Sequence, residues 1–149
     1  HSFDLETAED NEYPFDHITP QFLEEKLEMF RGNIKQVPPQ FSAVKVNGKR
    51  AYEHARKGKK IELKVRDTHI SKFEVDQSLF PSLKFRIQCS KGTYIRSLAR
   101  DLGYALDSGA YMSSLTRTSI GNYLLGDAIQ ISDIKDSEDF FKFARQLPS

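Results

Sequence analysis

Cys89-Ser-Lys-Gly-Thr-Tyr-Ile-Arg-Ser-Leu-Ala-Arg-Asp-Leu-Gly103 is the stretch around which the chain is organised. It follows residues 83–89, where apolar and polar side chains alternate, a period of two that predicts a half-buried strand. Residues 90–92 break the alternation, and Thr93 can cap a helix with its hydroxyl. The following apolar residues recur at helical spacing until Gly109 can end the helix; they are Ile95, Leu98, Ala99, Leu102, Ala105 and Leu106. The sequence therefore predicts a strand, a glycine turn and a helix.

The predicted turn places Lys91, Tyr94 and Arg96 around one point. Backbone N–H groups at a helix N-terminus favour an anion there, and an arginine can clamp a carboxylate through two parallel hydrogen bonds. Taken alone, Arg96 is also consistent with a solvated surface arginine, and Tyr94 with a ring in the core. Both interpretations stay open at this point.

Charge is segregated along the chain, although the net charge is only +1. Residues 1–28 hold nine acids and one Lys, whereas residues 45–66 hold nine Lys or Arg and two Glu. A chain of 149 residues corresponds to about one domain that can bury a core. The single cysteine, Cys89, excludes an internal disulfide. Because no signal-like or membrane-length apolar segment occurs, we expect a cytoplasmic, soluble protein.

The acidic residues 1–18 show little apolar periodicity, which is typical of a solvated segment. Thr19-Pro20 then supplies a cap and a first-position proline for a helix that Gly32 closes. The apolar stripe of this predicted helix consists of Phe22, Leu23, Leu27 and Phe30.

A basic segment with few apolar side chains follows. Pro38-Pro39 forces an extended entry, residues 41–46 fit a short strand, and Asn47-Gly48 is a strong two-residue hairpin turn. Residues 51–57 predict one or two helical turns closed by Gly58. The segment therefore resembles an arm or hairpin more than a part of the core.

Further strands are predicted at residues 61–65 and 68–75, the second with His69 on its polar side. Residues 111–125 predict a hairpin or two short strands, with a turn at Gly121-Asn122. Ser137 can cap a last helix through Leu147, in which we expect Phe140, Phe141, Phe143 and Ala144 to be mostly buried. These elements together predict an α+β fold, with a mixed, largely antiparallel sheet and helices on one face.

The basic block between Lys45 and Arg66 interleaves cations with Tyr52 and His54. Cations neutralise phosphates and a ring can stack on an exposed base, but a solvated charged loop is equally consistent with this density. The four histidines lack ligand spacing, and neither a phosphate-binding glycine loop nor a Gly-x-Ser-x-Gly motif occurs. These patterns therefore predict no zinc site and offer no motif for a phosphate-bearing cofactor.

Three stretches together resemble the TruB-type tRNA pseudouridine synthases. They are residues 37–58 (Val37-Pro-Pro-Gln-Phe-Ser-Ala-Val-Lys-Val-Asn-Gly-Lys-Arg-Ala-Tyr-Glu-His-Ala-Arg-Lys-Gly58), residues 89–103, and Leu115-Thr-Arg-Thr-Ser-Ile-Gly121. Their order and spacing also resemble that family. The resemblance implies a pseudouridine synthase-like fold and the isomerisation of a T-loop uridine of tRNA to pseudouridine. The base would be flipped out and attacked by an aspartate, without cofactor or metal.

By this resemblance Arg96 would pair with the nucleophilic aspartate and lower its pKa. Tyr94 would lie against the flipped base, and Leu115 would line the same pocket. Residues 37–58, called the thumb-like segment below, would press on the T-arm stem-loop. The residues that would bind RNA are Lys45, Lys49, Arg50, Tyr52, Arg56, Lys91 and Arg117.

One departure from the family pattern is large. The family's Gly-Thr-Leu-Asp-Pro-like loop, which carries the nucleophile, has no counterpart in the sequence, and the chain begins at His1. We therefore expect the C-terminal portion of the catalytic domain, without a separate C-terminal RNA-binding domain. Asp101 and Asp107 are interpreted as surface acids rather than replacement nucleophiles. We expect the chain alone to be inactive, and it could self-associate through an uncovered sheet edge.

Two other functions remain open from the sequence. The first is a stand-alone RNA-binding module that keeps the thumb-like segment and base pocket without catalysis. The second is an α+β protein-interaction domain whose acidic start binds a basic partner. Salt-dependent binding to a T-arm stem-loop would argue against the second.

Overall fold

The computed structural model describes residues 3–5, 11–46 and 48–144, without the side chains of Phe140, Phe143 and Ala144. The chain divides into two compact units, His1–Ser113 and Ser114–Ser149. The described part of the first unit contains α1 (Pro20–Glu28), β1 (Gly32–Gln36), β2 (Lys45–Val46), β3 (Lys49–Arg50), α2 (Ala51–Ala55), β4 (Arg66–Leu79), β5 (Ser82–Cys89) and α3 (Ile95–Ala105). That of the second contains β6 (Ser119–Ile120), β7 (Tyr123–Leu124), two 3-10 turns and α4 (Ser137–Ala144).

The strands form small antiparallel sheets, as the sequence predicts for an α+β chain. A three-stranded sheet has the order β1-β4-β5, and β2 with β3 and β6 with β7 form separate hairpins. Pairing is antiparallel in all of these described strands. A parallel contact occurs outside them, as an isolated bridge between Asp4 and Met112.

The first helix begins where the sequence predicts. The Phe22 N–H donates to Thr19 Oγ1 at 3.1 Å, and Pro20 occupies the first position, where its missing N–H costs nothing. Leu23 and Leu27 on its inner face are fully buried.

The core of the first unit joins α1, α3 and the central strand β4. Its buried members are Leu23, Leu27, Phe30, Ile70, Phe73, Leu98, Leu102 and Leu106. The register of β4 against β5 shifts between Ile70 and Lys72. Such a bulge changes which face the following residues occupy. The inward positions therefore run Thr68 and Ile70, then Phe73 and Val75.

The strand predicted at residues 61–65 is wrong, because that stretch has no strand structure. The sequence analysis also missed β1, the strand that pairs with the start of β4. Pairing of β1 ends at Gln36 opposite Arg66, and Pro38-Pro39 follow soon after. Proline has no N–H for a sheet hydrogen bond, so residues before Arg66 have no strand to pair with on that side.

The glycine turn and the helix are confirmed, but the predicted cap is wrong. Tyr94 occupies the cap position of α3 without a side-chain cap bond. The Thr93 hydroxyl instead donates to the Ser90 carbonyl at 2.8 Å and contacts the Thr68 hydroxyl. Gly92 has φ +83°, a conformation that favours glycine in this turn.

The C-terminal end of α3 also differs from the prediction. Asp107, with φ +52°, takes the left-handed conformation that was assigned to Gly109. Gly109 is needed for space, since a Cβ there would lie 2.3 Å from the Tyr13 ring.

The hairpin predicted near Gly121 and the helical turns before Gly58 are both confirmed. In the hairpin predicted at Asn47-Gly48, β2 and β3 pair as expected, while Asn47 itself lies outside the described residues. The cap of α4 is Asp136 rather than Ser137, because its carboxylate accepts the N–H groups of residues 138 and 139.

Two burial predictions need correction. Phe141 was expected inside but is 59% exposed, and the other three apolar side chains predicted to be buried with it lie outside the described ones. Residues 3–5 were assigned to a solvated segment, yet the Met112 N–H donates to the Phe3 carbonyl at 2.9 Å.

In the part of the chain that the structure describes, no helix is long and apolar enough to cross a membrane.

Candidate functional site

A cleft of about 510 Å³ lies in the first unit, between the thumb-like segment and the start of α3. Its lining residues are Phe41, Ser42, Ala43, Tyr52, Arg56, Tyr94 and Arg96. Four residues that the sequence analysis singled out, Tyr52, Arg56, Tyr94 and Arg96, therefore lie on one concave surface. Phe41, Ser42 and Ala43 were not among the candidates.

Arg96 is held from two sides. Its guanidinium lies 2.9 Å from the Asp4 carboxylate and donates to the Phe41 carbonyl at 2.7 Å. The side chains of Arg96 and Asp4 are 21% and 20% exposed. The interpretation of Arg96 as a solvated surface arginine is therefore wrong. A charge-assisted pair with this little solvent fixes the direction of the guanidinium.

The sequence analysis missed Asp4, because it lies in a segment that was interpreted as solvated. Besides the pair with Arg96, the contacts of residues 3–5 include the bridge between Asp4 and Met112, the hydrogen bond to the Phe3 carbonyl, and the Arg100 guanidinium 5.3 Å from the Phe3 ring centre. All of them join residues far apart in sequence, so local periodicity carried no signal for them.

Tyr94 is held through its backbone by the Gln36 side chain. The Tyr94 N–H donates to Gln36 Oε1 at 2.7 Å, and Gln36 Nε2 donates to the Tyr94 carbonyl at 3.1 Å. The neighbouring Val37 carbonyl accepts hydrogen bonds from the Ser97 hydroxyl at 2.8 Å and from Arg100 at 3.1 Å. The entry to the thumb-like segment is thereby tied to the first turns of α3.

The other wall of the cleft is formed by α2. The Ala51 N–H donates to the Val44 carbonyl at 2.7 Å, and the Tyr52 N–H donates to the Ser42 carbonyl at 3.0 Å. These bonds place α2 against residues 42–44. The Arg56 guanidinium lies 5.3 Å from the centre of the Tyr52 ring, within the range of a cation–π contact. This wall therefore carries a cation and an aromatic ring.

Exposed cations occupy the hairpin next to this wall. Lys45 pairs in register with Arg50, and Lys49 pairs with Val46. All three cationic side chains are exposed, as a phosphate-binding surface requires. Lys91 is also exposed and is not among the residues that line the cleft, so its predicted convergence with Tyr94 and Arg96 stays a prediction.

Leu115 and Arg117 lie in the second unit, and both side chains are exposed. The pocket position of Leu115 and the RNA contact of Arg117 both stay predictions. Asp107 is exposed, whereas Asp101 is only partly exposed and its carboxylate accepts a hydrogen bond from Arg100 at 2.7 Å.

The resolved pKa shifts lie outside the cleft. The hydrogen bond that the Arg31 guanidinium donates to the Glu24 carboxylate is the main cause of the raised pKa of Arg31, and the charges of Glu24 and Glu28 add to it. Across residues 3–5, 11–46 and 48–144, no group of three or more His, Cys, Asp and Glu could hold a metal ion. The cleft itself is lined by two guanidinium groups, two tyrosine rings, Phe41, Ser42 and Ala43.

A concave surface with two tyrosines and two arginines, next to an exposed basic hairpin, is typical of proteins that bind an unstacked base and its phosphates. Residues 1–95 match the model of the TruB family pseudouridylate synthase N-terminal domain, and residues 96–146 match the tRNA pseudouridylate synthase B C-terminal domain. The chain belongs to the TruB family. The boundary between these two matches does not coincide with the boundary between the compact units.

Several curated relatives are similar to most of the chain. The tRNA pseudouridine synthase B of Phocaeicola vulgatus is 49% identical over 135 residues, which covers 91% of this chain and 57% of the relative. That of Parabacteroides distasonis is 51% identical over 135 residues, with the same coverage. The synthase of Francisella philomiragia is 45% identical over 119 residues, or 80% of this chain and 39% of the relative. The chain thus spans little more than half the length of the first two relatives.

Proposed function

We propose that this chain forms part of a tRNA pseudouridine synthase that flips a T-loop uridine into the cleft and isomerises it. The observation that carries the proposal is the fixed Arg96 guanidinium, which shares a cleft with Tyr94, Tyr52 and Arg56. The family match supports it, and so do the relatives, which are tRNA pseudouridine synthases B. Flipping costs a few kcal/mol of unstacking, and the exposed cations next to the cleft supply compensating phosphate contacts.

The proposed reaction is an isomerisation with no net oxidation or reduction. The bond from the ring nitrogen to the sugar breaks, and a bond from a ring carbon to the same sugar carbon forms. A proton leaves that ring carbon, and the freed nitrogen takes up a proton. Since electrons and atoms balance without a co-reactant, the proposal includes no cofactor or metal.

In this proposal Arg96 orients the nucleophilic carboxylate and favours its ionised form, because a nearby positive charge lowers the pKa of an acid. The contact with Asp4 supports this role, since the Arg96 guanidinium already pairs with one carboxylate in this structure. Tyr94 supplies the ring against the flipped base. We also propose that Leu115 borders the same base and that Lys91 and Arg117 contact the RNA backbone.

We propose that residues 37–58 act as an RNA-binding thumb. Lys45, Lys49 and Arg50 would contact phosphates of the T-arm from the exposed hairpin. Tyr52 and Arg56 would contact the flipped nucleotide, because they line the cleft rather than the outer surface of the hairpin. This refines the sequence-based assignment of all five residues to one RNA-facing surface.

The nucleophilic aspartate of the family has no counterpart in the printed sequence, so we propose that residues 1–149 alone do not form pseudouridine. The protein as its gene encodes it is the form to assay. Arg96→Lys keeps the charge but loses the planar fork, and we expect about a 100-fold or greater fall in kcat. Arg66→Lys, at the exposed start of β4, is the matched control. Pseudouridine formed in a tRNA transcript is measured by mass spectrometry.

An unmodified transcript with the wild-type protein would refute the proposed activity. An unchanged rate with Arg96→Lys would leave the activity but remove Arg96 from it. Binding of a T-arm stem-loop without conversion would favour the second candidate, a non-catalytic RNA-binding module. That candidate is supported by the exposed hairpin, whose cations need no nucleophile to bind phosphates.

A further inference from the structure

Gln36 is a buried polar residue next to the cleft, although it does not line it. It is the last residue of β1 and only 2% exposed. Both ends of its amide bond the backbone of one residue, Tyr94. The side chain therefore makes the two hydrogen bonds that a neighbouring strand would make.

The local sequence explains why a side chain, and not a neighbouring strand, makes these hydrogen bonds to Tyr94. Beyond Gln36 the chain enters Pro38-Pro39, which has no N–H groups to extend the sheet. Tyr94, with φ −99° and ψ 105°, is extended and precedes the first turn of α3. A backbone N–H at a helix start has no partner within the helix. The Gln36 amide supplies that partner in a place where water has almost no access.

The same amide fixes the direction in which α3 begins. The Tyr94 carbonyl accepts hydrogen bonds from both Gln36 and the Leu98 N–H, the latter at 3.1 Å. Its N–H is held by Gln36 as well, so the peptide groups on both sides of Tyr94 are restrained. Tyr94 and Arg96 are the two cleft residues that α3 and its cap supply. A rotation of the Tyr94 backbone would displace both side chains together.

We propose that Gln36 is a positioning residue, which aligns the Tyr94 ring and the Arg96 guanidinium by holding the Tyr94 backbone. This inference rests on the proposed function of the cleft. In this inference Gln36 does not contact the substrate. Removal of its side-chain amide should therefore lower kcat more than it weakens RNA binding. Small misplacements of a reacting group are enough for this, because rates depend steeply on alignment.

The test compares two substitutions in the protein as its gene encodes it. Gln36→Met keeps the length of the side chain but removes both hydrogen bonds. We expect kcat to fall by about 10-fold or more, and the Kd for a T-arm stem-loop to change by less than about twofold. The Tyr94 amide proton should exchange with solvent about 10-fold faster or more, measured by NMR.

Gln36→Glu provides a partial rescue that depends on pH. A protonated carboxyl group can donate to the Tyr94 carbonyl and accept from its N–H, whereas the ionised form cannot donate. The ratio of the variant's kcat to that of the wild type should therefore rise as the pH falls from about 7 to about 5. This readout also keeps the inference testable if Gln36→Met does not fold.

Two controls separate positioning from general destabilisation. Gln88→Met makes the same chemical change at an exposed position of β5, and it should leave kcat and Tyr94 exchange unchanged. Ile70→Val trims the core without touching Gln36. An equal fall in kcat with Ile70→Val would overturn the inference, and so would a flat pH ratio with Gln36→Glu.

The outcomes distinguish this inference from the proposed function. A wild-type protein that forms no pseudouridine contradicts the proposed function, whatever the Gln36 variants do. A wild-type protein that is active, with Gln36→Met equally active, contradicts the inference alone. If Tyr94 amide exchange in Gln36→Met is as slow as in the wild type, Gln36 does not hold the Tyr94 backbone, and this result needs no activity measurement.

Discussion

The core of the first unit and the thumb-like segment are stabilised by different interactions. In the core, apolar side chains of α1, α3 and β4 bury one another almost completely. Residues 37–58 bury only small apolar side chains almost completely, those of Pro38, Pro39 and Ala51. Hydrogen bonds add to this burial, because α3 side chains donate to the carbonyls of Val37 and Phe41. The Gln40 side chain exchanges two hydrogen bonds with the Ile61 backbone, at 2.7 and 3.2 Å.

This difference predicts that the cleft wall formed by residues 41–43 and α2 moves more readily than the wall formed by the start of α3. Water can replace hydrogen bonds at a small net free energy, but it cannot replace apolar burial. Among the described residues, the Ser42 hydroxyl and His54 Nε2 are also buried without a hydrogen-bond partner. Such atoms lower the stability of the segment that holds them. We therefore expect the thumb-like segment to open at a lower free energy than the core.

The largest expected effect tests the core. Leu98→Ala removes a side chain that is 1% exposed, and should lower the free energy of unfolding by about 2–5 kcal/mol. Val46→Ala, on the partly exposed hairpin, should cost about 1 kcal/mol or less. Urea unfolding followed by circular dichroism measures both. Similar losses in the two variants would contradict the contrast between the regions.

A smaller effect is expected where Gln40 joins the thumb-like segment to Ile61. Gln40→Met removes both bonds to Ile61, at a net cost of about 1–3 kcal/mol. The Ile61 amide, whose N–H donates to Gln40, should exchange faster while the Leu98 amide in α3 stays protected. Gln21→Met, an exposed change on α1, is the control. Equal acceleration at both amides would mean that the segment does not open separately from the core.

The proposed phosphate contacts should appear as a salt effect. Lys49→Gln is expected to weaken T-arm binding and to reduce the slope of log affinity against log salt by about 1. Lys84→Gln on β5, also exposed, should leave the slope unchanged. Fluorescence anisotropy at several salt concentrations measures both. Equal slopes for Lys49→Gln and the wild type would exclude the hairpin from the RNA surface.

The smallest effect concerns a polar contact on the core side. Arg31 pairs with Glu24 at 2.8 Å and with Glu28, and donates to the Phe73 carbonyl at 2.9 Å. Arg31→Lys loses the fork that makes these contacts together, and we expect a loss of about 0.5–1 kcal/mol. Arg86→Lys on β5 is the control in thermal unfolding. A loss as large as that of Leu98→Ala would show that the core also depends on polar contacts.

Local signals predicted the elements whose ends are set by neighbouring residues. Thr19-Pro20 placed the start of α1, and the alternation at residues 83–89 placed β5. Three motifs, the first two of them long, were enough to identify the family, because their residues and order are specific. The strand predicted at residues 61–65 was wrong because its formation depends on distant residues. Alternation predicts which side chains share a face, but a strand also needs a neighbouring strand for its hydrogen bonds.

The sequence by itself determined the helices, the hairpins, the basic segment and the family. Only the tertiary structure decided which groups meet at the cleft, because Asp4 with Arg96 and Gln36 with Tyr94 join distant parts of the chain. A carboxylate or an amide can satisfy its hydrogen bonds with water or with any suitable partner. The residue type determines that a buried polar group needs a hydrogen-bond partner. The packing of the chain determines which group becomes that partner.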